Sequence, residues 1–398
     1  MEIEPMKTVC TLAAIFLIVS FAAPAVHAQN SADLPAAPAS VFKVVPTPNG
    51  HGKPAQNDLH SVSASSASDI WAVGQTAIHF DGSKWTAFNV PGIKGDNTSR
   101  LGGVVDFAPN NAWTVGITGI TLGNTNQVIE HFDGTKWSVS PGPKFQPGDE
   151  PALESVTALS PSDMWAAGFI LTNGGQSLFP LFEHYDGTAW TAFETAFSDG
   201  TPFGVSADAT NDVWAVGSIA EYATFVEHYD GNAWTVIPSP NPGNGFNILF
   251  GVTALAPNNV WAAGYYTAQV NSTRPTKTLI EHWDGTSWKI VPSPNIGPHS
   301  VYQSNELWGI TAVSANDIWA FGAVFAADGS GQQSTLVLHW DGTKWTIVPS
   351  PSPMSGSERV DILFGGTVIP TGDLWLVGNE FGSTLALNAT GSRAISAR

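Results

Sequence analysis

The 398-residue chain has a single cysteine, Cys10, and it lies within the first 28 residues. Beyond it, disulfides and thiol chemistry are excluded, so stability outside a reducing compartment must come from packing. Charge is sparse and mostly of one sign, with 15 Lys and Arg against 33 Asp and Glu and a formal charge of −18. No basic stripe is available to displace counterions, which excludes nucleic acid as a partner and argues against an anionic membrane surface. The apolar run at 9–23 is too short for a comfortable membrane span, and no span is expected after it. HExxH, GxSxG, a Walker loop and a cysteine cluster are all missing. No cofactor and no metal are therefore expected.

The N-terminus reads as a secretory signal over residues 1–28. Lys7 precedes the apolar run, and Val26, His27 and Ala28 form a cleavage site before Gln29. Residues 29–40 are rich in Ala, Pro and Ser, with no periodicity that could bury a face, and read as a disordered lead. The remainder, 41–391, is one repetitive domain followed by a short tail at 392–398.

Seven copies of one unit align on Trp71, Trp113, Trp165, Trp214, Trp261, Trp319 and Trp375, at spacings of 42, 52, 49, 47, 58 and 56 residues. A period of that length indicates a propeller or an array. The fullest copy, 249–295, reads as four strands. Small and β-branched residues (GVTALA) end in an Asn-Asn turn, and a WAAG strand alternates large and small side chains. A third strand, TLIEHWDG, reaches an Asp-Gly pair that favours a two-residue hairpin turn, and a fourth brings a second Trp and a Pro-rich exit. The recurring Gly of the second strand suggests a small-residue face on which neighbouring sheets interlock.

The seventh copy stops after three strands, at NATG, whereas VFKVVPTPN at 41–49 matches SWKIVPSPN at 287–295 with Phe42 in the place of Trp288. An N-terminal strand is thus expected to complete the last blade. The expectation is all-β: a seven-bladed β-propeller of four-stranded antiparallel blades, closed by that strand.

The units NDIWAFG, ending at Gly322, and LHWDGTKW, ending at Trp345, resemble those of secreted bacterial kelch-like propellers, the class that includes the galactose oxidase ring. The resemblance spans 41–391 and implies the architecture rather than an activity. A copper-radical site of the oxidase kind needs a cysteine bonded to a tyrosine, which this chain lacks after cleavage. The Asp box of glycosidase propellers is also unmatched.

Six histidines, His79, His131, His184, His228, His282 and His339, recur once per repeat at the same hairpin, as do Glu130, Glu183, Glu227 and Glu281. Spread around a ring, they cannot converge on one ion or substrate, so a structural role is expected. Loop length is the asymmetric feature. Connections between second and third strands, and between blades, vary widely, notably at 117–127, 141–152, 169–179, 265–277, 296–306 and 323–334. Both variable classes leave the same face of the disc, where binding residues are expected. At the start of the first strands stand His60, Gly102, Glu154, Phe203, Phe250, Trp308 and Phe364. Four aromatics beside a His and a Glu suit a stacking surface with polar neighbours, and equally suit packing between blades. Tyr266 and Tyr302, with Arg274 and His299, are further loop candidates.

Three functions follow. The first is a secreted, monomeric, non-catalytic module binding an extracellular glycan or protein through Phe203, Phe250, Trp308, Phe364, Tyr266 and Tyr302. The second is a glycan-active hydrolase or lyase using His60 and Glu154, with Asp149, Glu150 and His299 also to be tested. The third is a structural envelope protein.

Overall fold

Alternating side chains and frequent turn residues yield 28 strands, β1 (Lys43–Val44) to β28 (Ser383–Ala389), in seven four-stranded antiparallel sheets. They lie in a computed structural model that describes residues 41–50, 57–93, 98–119, 123, 125–193, 195, 197–220, 222–268, 275–297, 303–326, 330–353 and 360–390. The signal-like segment, the lead and the tail lie outside the described residues. Six sheets run in chain order from the centre outward, and their first strands pack on one another around the axis. The seventh has the order β1-β28-β27-β26, where β26 is Asp361–Val368 and β27 is Leu374–Glu380. The N-terminal strand therefore closes the ring as its outermost element, in register with β28 through Lys43↔Asn388 and Val44↔Leu387.

Each blade interface is organised by one aromatic contact. The fourth-strand Trp of one blade packs on the second-strand Trp of its neighbour, as in Trp137 on Trp71 (4.9 Å), Trp234 on Trp165 (5.6 Å) and Trp85 on Trp375 (5.5 Å). Phe42 makes the corresponding contact with Trp319 at 5.9 Å, nearly perpendicular, which completes the set of seven. Edge-to-face pairs of this kind add to the burial of large apolar surface. The Pro-rich exits serve a second purpose, because they clasp the third strand. Asn241, Asn295 and Ser352 accept the backbone N–H of Thr224, Thr278 and Thr335, and Asn49 does the same for Thr384 at 3.0 Å.

Two local expectations change. The Asp-Gly pair is not a two-residue turn with both residues at positive φ. Only the Gly is there, for example Gly82 at φ 90°. Four residues separate the strands, and Asp81 accepts the N–H groups of Ser83 and Lys84 and the Ser83 hydroxyl. Three donors on one carboxylate make the wider loop favourable. Those hydrogen bonds hold the exposed Asp81, Asp133, Asp186 and Asp341 down at about 2. The variable insertions are also partly strand: at 323–334 the pairing continues to Phe325↔Gln333, and at 169–179 to Thr172↔Ser177. Backbone groups at those positions are satisfied by a longer ladder instead of an open loop.

Candidate functional site

The seven residues expected at the start of the first strands prove to be the seven residues skipped by a β-bulge. In blade one, Leu59 pairs with Gly74 and Ser61 with Val73, leaving His60 unpaired. The same break falls at Gly102, Glu154, Phe203, Phe250, Trp308 and Phe364. In most blades the first strand begins earlier than expected, so these positions lie inside it. Trp308, for instance, is in β22 (Ser304–Ser314).

The bulge also explains the recurring Gly of the second strand, which interlocking of sheets does not. A Cβ on Gly264 would run into the carbonyl oxygen of Ile248, and one on Gly322 into that of Glu306. Only Gly admits the displaced carbonyl of the bulged strand. Just beyond the bulge, neighbouring first strands approach so closely that a Cβ on Gly251 would stand 2.9 Å from the Cα of Gly309. A belt of bulged side chains therefore sits above a constriction of touching backbones.

Around this belt the rings are contiguous. Phe203 stacks on Phe250 (5.0 Å), Phe250 contacts Trp308 (4.4 Å), Trp308 meets Phe364 edge-on (5.6 Å), and Phe364 stacks on His60 (5.1 Å). His60, Phe203, Phe250 and Trp308 are partly exposed, whereas Phe364 and Glu154 are buried. For residues on innermost strands, the axial channel is the available route to solvent. The aromatic arc covers blades four to seven and ends at blade one.

Blades two and three complete the belt differently. Gly102 contributes no side chain, and a Cβ there would strike the backbone of Glu154. Arg100, two residues earlier on the same strand, reaches the Glu154 carboxylate at 2.7 Å. Burial, and then the Arg100 charge, pushes the His60 imidazole down to about 3, so it is neutral at physiological pH. Burial raises Glu154, which Arg100 opposes. The polar sector is thus an ion pair flanked by an uncharged imidazole.

Other expected residues lie elsewhere. Tyr266 packs against the apolar cluster between blades four and five, whereas its neighbour Tyr265, on the opposite side of the strand, contacts Phe250 and Trp308. Tyr302, Arg274 and His299 lie outside the described residues. Asp149 and Glu150 hold loop backbone, accepting N–H groups from Gln146 and from Gly123 and Thr125. Arg100 was not distinguished by the sequence, although it is the basic residue closest in sequence to the sole Gly of the belt. A groove of about 620 Å³ between the third strand of blade two and the connector at 139–151, with Glu130 and Gln127 in its wall, includes none of the belt.

The variable-loop face has two further distinctions. All four described non-Gly residues at positive φ lie there: Asn173, Asp199, Ala220 and Phe381, with φ between 46° and 67°. Such backbone is strained for L-residues and gathers at functional surfaces. Tyr222 and Phe381, 52% and 51% exposed, also stand on this face.

The repeated histidines are structural. Each stacks on its second-strand Trp, as in His228 on Trp214 at 4.2 Å, and places Nε2 on the Asp or Asn at the start of that strand. Asp317 Oδ1 accepts from both Trp319 Nε1 (2.8 Å) and buried His339 Nε2 (2.9 Å). Asp317→Ala orphans two donors and should cost about 2–4 kcal/mol in urea denaturation. Asp317→Asn should be nearly neutral, because Asn111 and Asn259 make the same bonds in blades two and five. Equal losses for the two variants would contradict this role. Among the described residues no group of three His, Cys, Asp or Glu is placed to hold a metal ion, and no helix is long and apolar enough to cross a membrane.

Comparison with family models yields no match, and none is found among curated proteins. Solved structures do match. The extracellular domain of a putative hybrid two-component system from B. thetaiotaomicron aligns over 88% of this chain with TM-score 0.55 and 15% identity. This chain spans 40% of that one. A chain of the mitotic checkpoint complex aligns over 94% of this chain and 98% of its own, with TM-score 0.53 and 11% identity. The U3-55K structure gives 87% and 98%, TM-score 0.52 and 8% identity. At these identities the likeness is one of fold, and the fold is a seven-bladed β-propeller.

Proposed function

We infer that the chain is a secreted or periplasmic binding module, non-catalytic and monomeric, which grips an extracellular glycan or protein at the channel end beneath its variable loops. The observation that carries this reading is the unbroken arc Phe203–Phe250–Trp308–Phe364, whose first three rings are partly exposed within an otherwise close-packed ring. Contiguous aromatic surface that folding leaves uncovered is available to a ligand. Support for secretion comes from the signal-like residues 1–28, and the NDIWAFG and LHWDGTKW units support a kelch-like bacterial origin. The test is retention on insoluble polysaccharides and on extracellular protein fractions. Trp308→Ala and Phe250→Ala should each reduce retention at least tenfold while the melting temperature moves by only a few degrees. A large fall in melting temperature with undiminished retention would return these rings to the core.

A hydrolase or lyase is the second reading, favoured by one observation: His60 and Glu154, two blades apart, both feel Arg100. Release of sugars or unsaturated uronates into the supernatant, abolished by His60→Ala, would establish it.

A further inference from the structure

We propose that the belt takes an uncharged sugar ring, its apolar face laid on Phe250 and Trp308 and its hydroxyls turned to Arg100 and Glu154, with Arg100 as the residue that sets this specificity. The proposal rests on the binding reading above and names the ligand class of that site. It starts from the division of the belt into two unlike sectors. Four successive blades supply aromatic rings in mutual contact, while blades two and three supply no ring and carry the Arg100–Glu154 pair. A ligand that satisfies both must present C–H surface on one side and hydrogen-bonding groups on the other. A pyranose ring does so.

Charge narrows the class. Arg100 is already neutralised by Glu154, whose side chain is only 7% exposed, and His60 carries no charge at neutral pH. The pair as a whole offers guanidinium N–H donors and carboxylate acceptors with no net charge to match, which suits hydroxyls. An acidic sugar would have to take Arg100 from Glu154 and leave a buried carboxylate without its cation, a costly exchange. It would also approach a chain of formal charge −18. A cationic amino sugar would find no carboxylate free of Arg100 in the polar sector of the belt to pair with. The uncharged ring alone meets no opposing charge.

Gly102 is what makes the sector possible. Any side chain at that position would strike the backbone of Glu154, so Gly is what lets the first strands of blades two and three approach here.

The test is affinity electrophoresis of the chain beginning at Gln29 through gels holding hydroxyethyl cellulose, galactomannan or polygalacturonate. Retardation by at least one neutral polymer and none by polygalacturonate is expected. Trp308→Ala and the double variant R100Q/E154Q should each weaken retardation at least tenfold. The double variant removes both charges together, so that no buried ion is orphaned and its melting temperature should stay within a few degrees. Retardation by polygalacturonate that Trp308→Ala abolishes would overturn the uncharged class and leave the site standing. Retardation by a neutral polymer that neither Trp308→Ala nor Phe250→Ala alters would overturn the site itself. No retardation by either neutral polymer would overturn the sugar class.

Discussion

A chain beginning at Gly50 is expected to lose the cooperative unfolding transition of one beginning at Val41. The segment removed supplies the outer strand of the seventh blade, and its contributions are individually identifiable. Phe42 is 3% exposed and joins the apolar cluster that contains Trp319, Leu376 and Leu387 between blades six and seven. Val45 donates its N–H to Ala386, Thr47 its hydroxyl to the Thr384 carbonyl, and Asn49 accepts the Thr384 N–H. Phe42→Ala alone should cost about 3–4 kcal/mol, the usual range for emptying an aromatic site in a packed core. Loss of the whole strand exposes the edge of β28 and unfastens blade seven from blade six, so the ring is opened and not merely loosened. Urea denaturation followed by Trp fluorescence reads both variants. A Gly50-start chain with an unchanged midpoint would show that closure contributes little and that the ring is held by its remaining interfaces.

The second large effect is a loss of stability as pH rises above the acidic range. Glu130, Glu183, Glu227 and Glu281 are at most 1% exposed. They stand on the third strands of blades two to five, against groups of the preceding blade or its connector. Glu227 accepts the Thr195 hydroxyl at 2.7 Å, Glu281 the Ser239 hydroxyl at 2.5 Å, and Glu130 the N–H of Gly92. Burial is the dominant influence on all four, raising Glu130 to about 7, Glu183 and Glu281 to about 8, and Glu227 in the same direction. The folded state therefore holds protons that the unfolded state, near 4.5, has released. Stability from these groups is fully present below pH 4.5 and is lost as pH rises through about 8. A tenfold difference in proton affinity between the folded and unfolded chain corresponds to roughly 1.4 kcal/mol, so Glu183 and Glu281 together account for several kcal/mol by about pH 9. The turn aspartates act oppositely and lose their contribution as pH falls towards about 2. Blades one, six and seven carry Ile78, Leu338 and Leu387 at the glutamate position, each fully buried. Glu183→Leu with Glu281→Leu should then flatten the fall between pH 5 and 8.5 and raise stability at the upper end. An undiminished slope in the double variant would place the titrating groups elsewhere.

Much of the architecture was legible because it is local and repeated. The match of Phe42 to the position of Trp288 revealed the closing strand, since five of the seven residues that follow it are the same as those after Trp288. The histidines were recognisable as structural from their recurrence, before their Asp and Trp partners were visible. The belt was half legible: its seven positions could be aligned, but not the bulge that turns them out of the ladder. Gly264 carried that signal, for a reason that only the facing carbonyl of Ile248 reveals. Tyr265 and Tyr266 could not be told apart without the register that sends one against Phe250 and Trp308 and the other to the apolar cluster between blades four and five.

By itself the sequence determined the number of blades, their strand order and the manner of closure, because periodicity, turn chemistry and side-chain alternation act over a few residues. Which side chains share the channel was decided only by the tertiary structure. Arg100 and Glu154 are 54 residues apart, and Phe364 and His60 lie at opposite ends of the domain, so each pair meets only because adjacent blades pack around a closed ring.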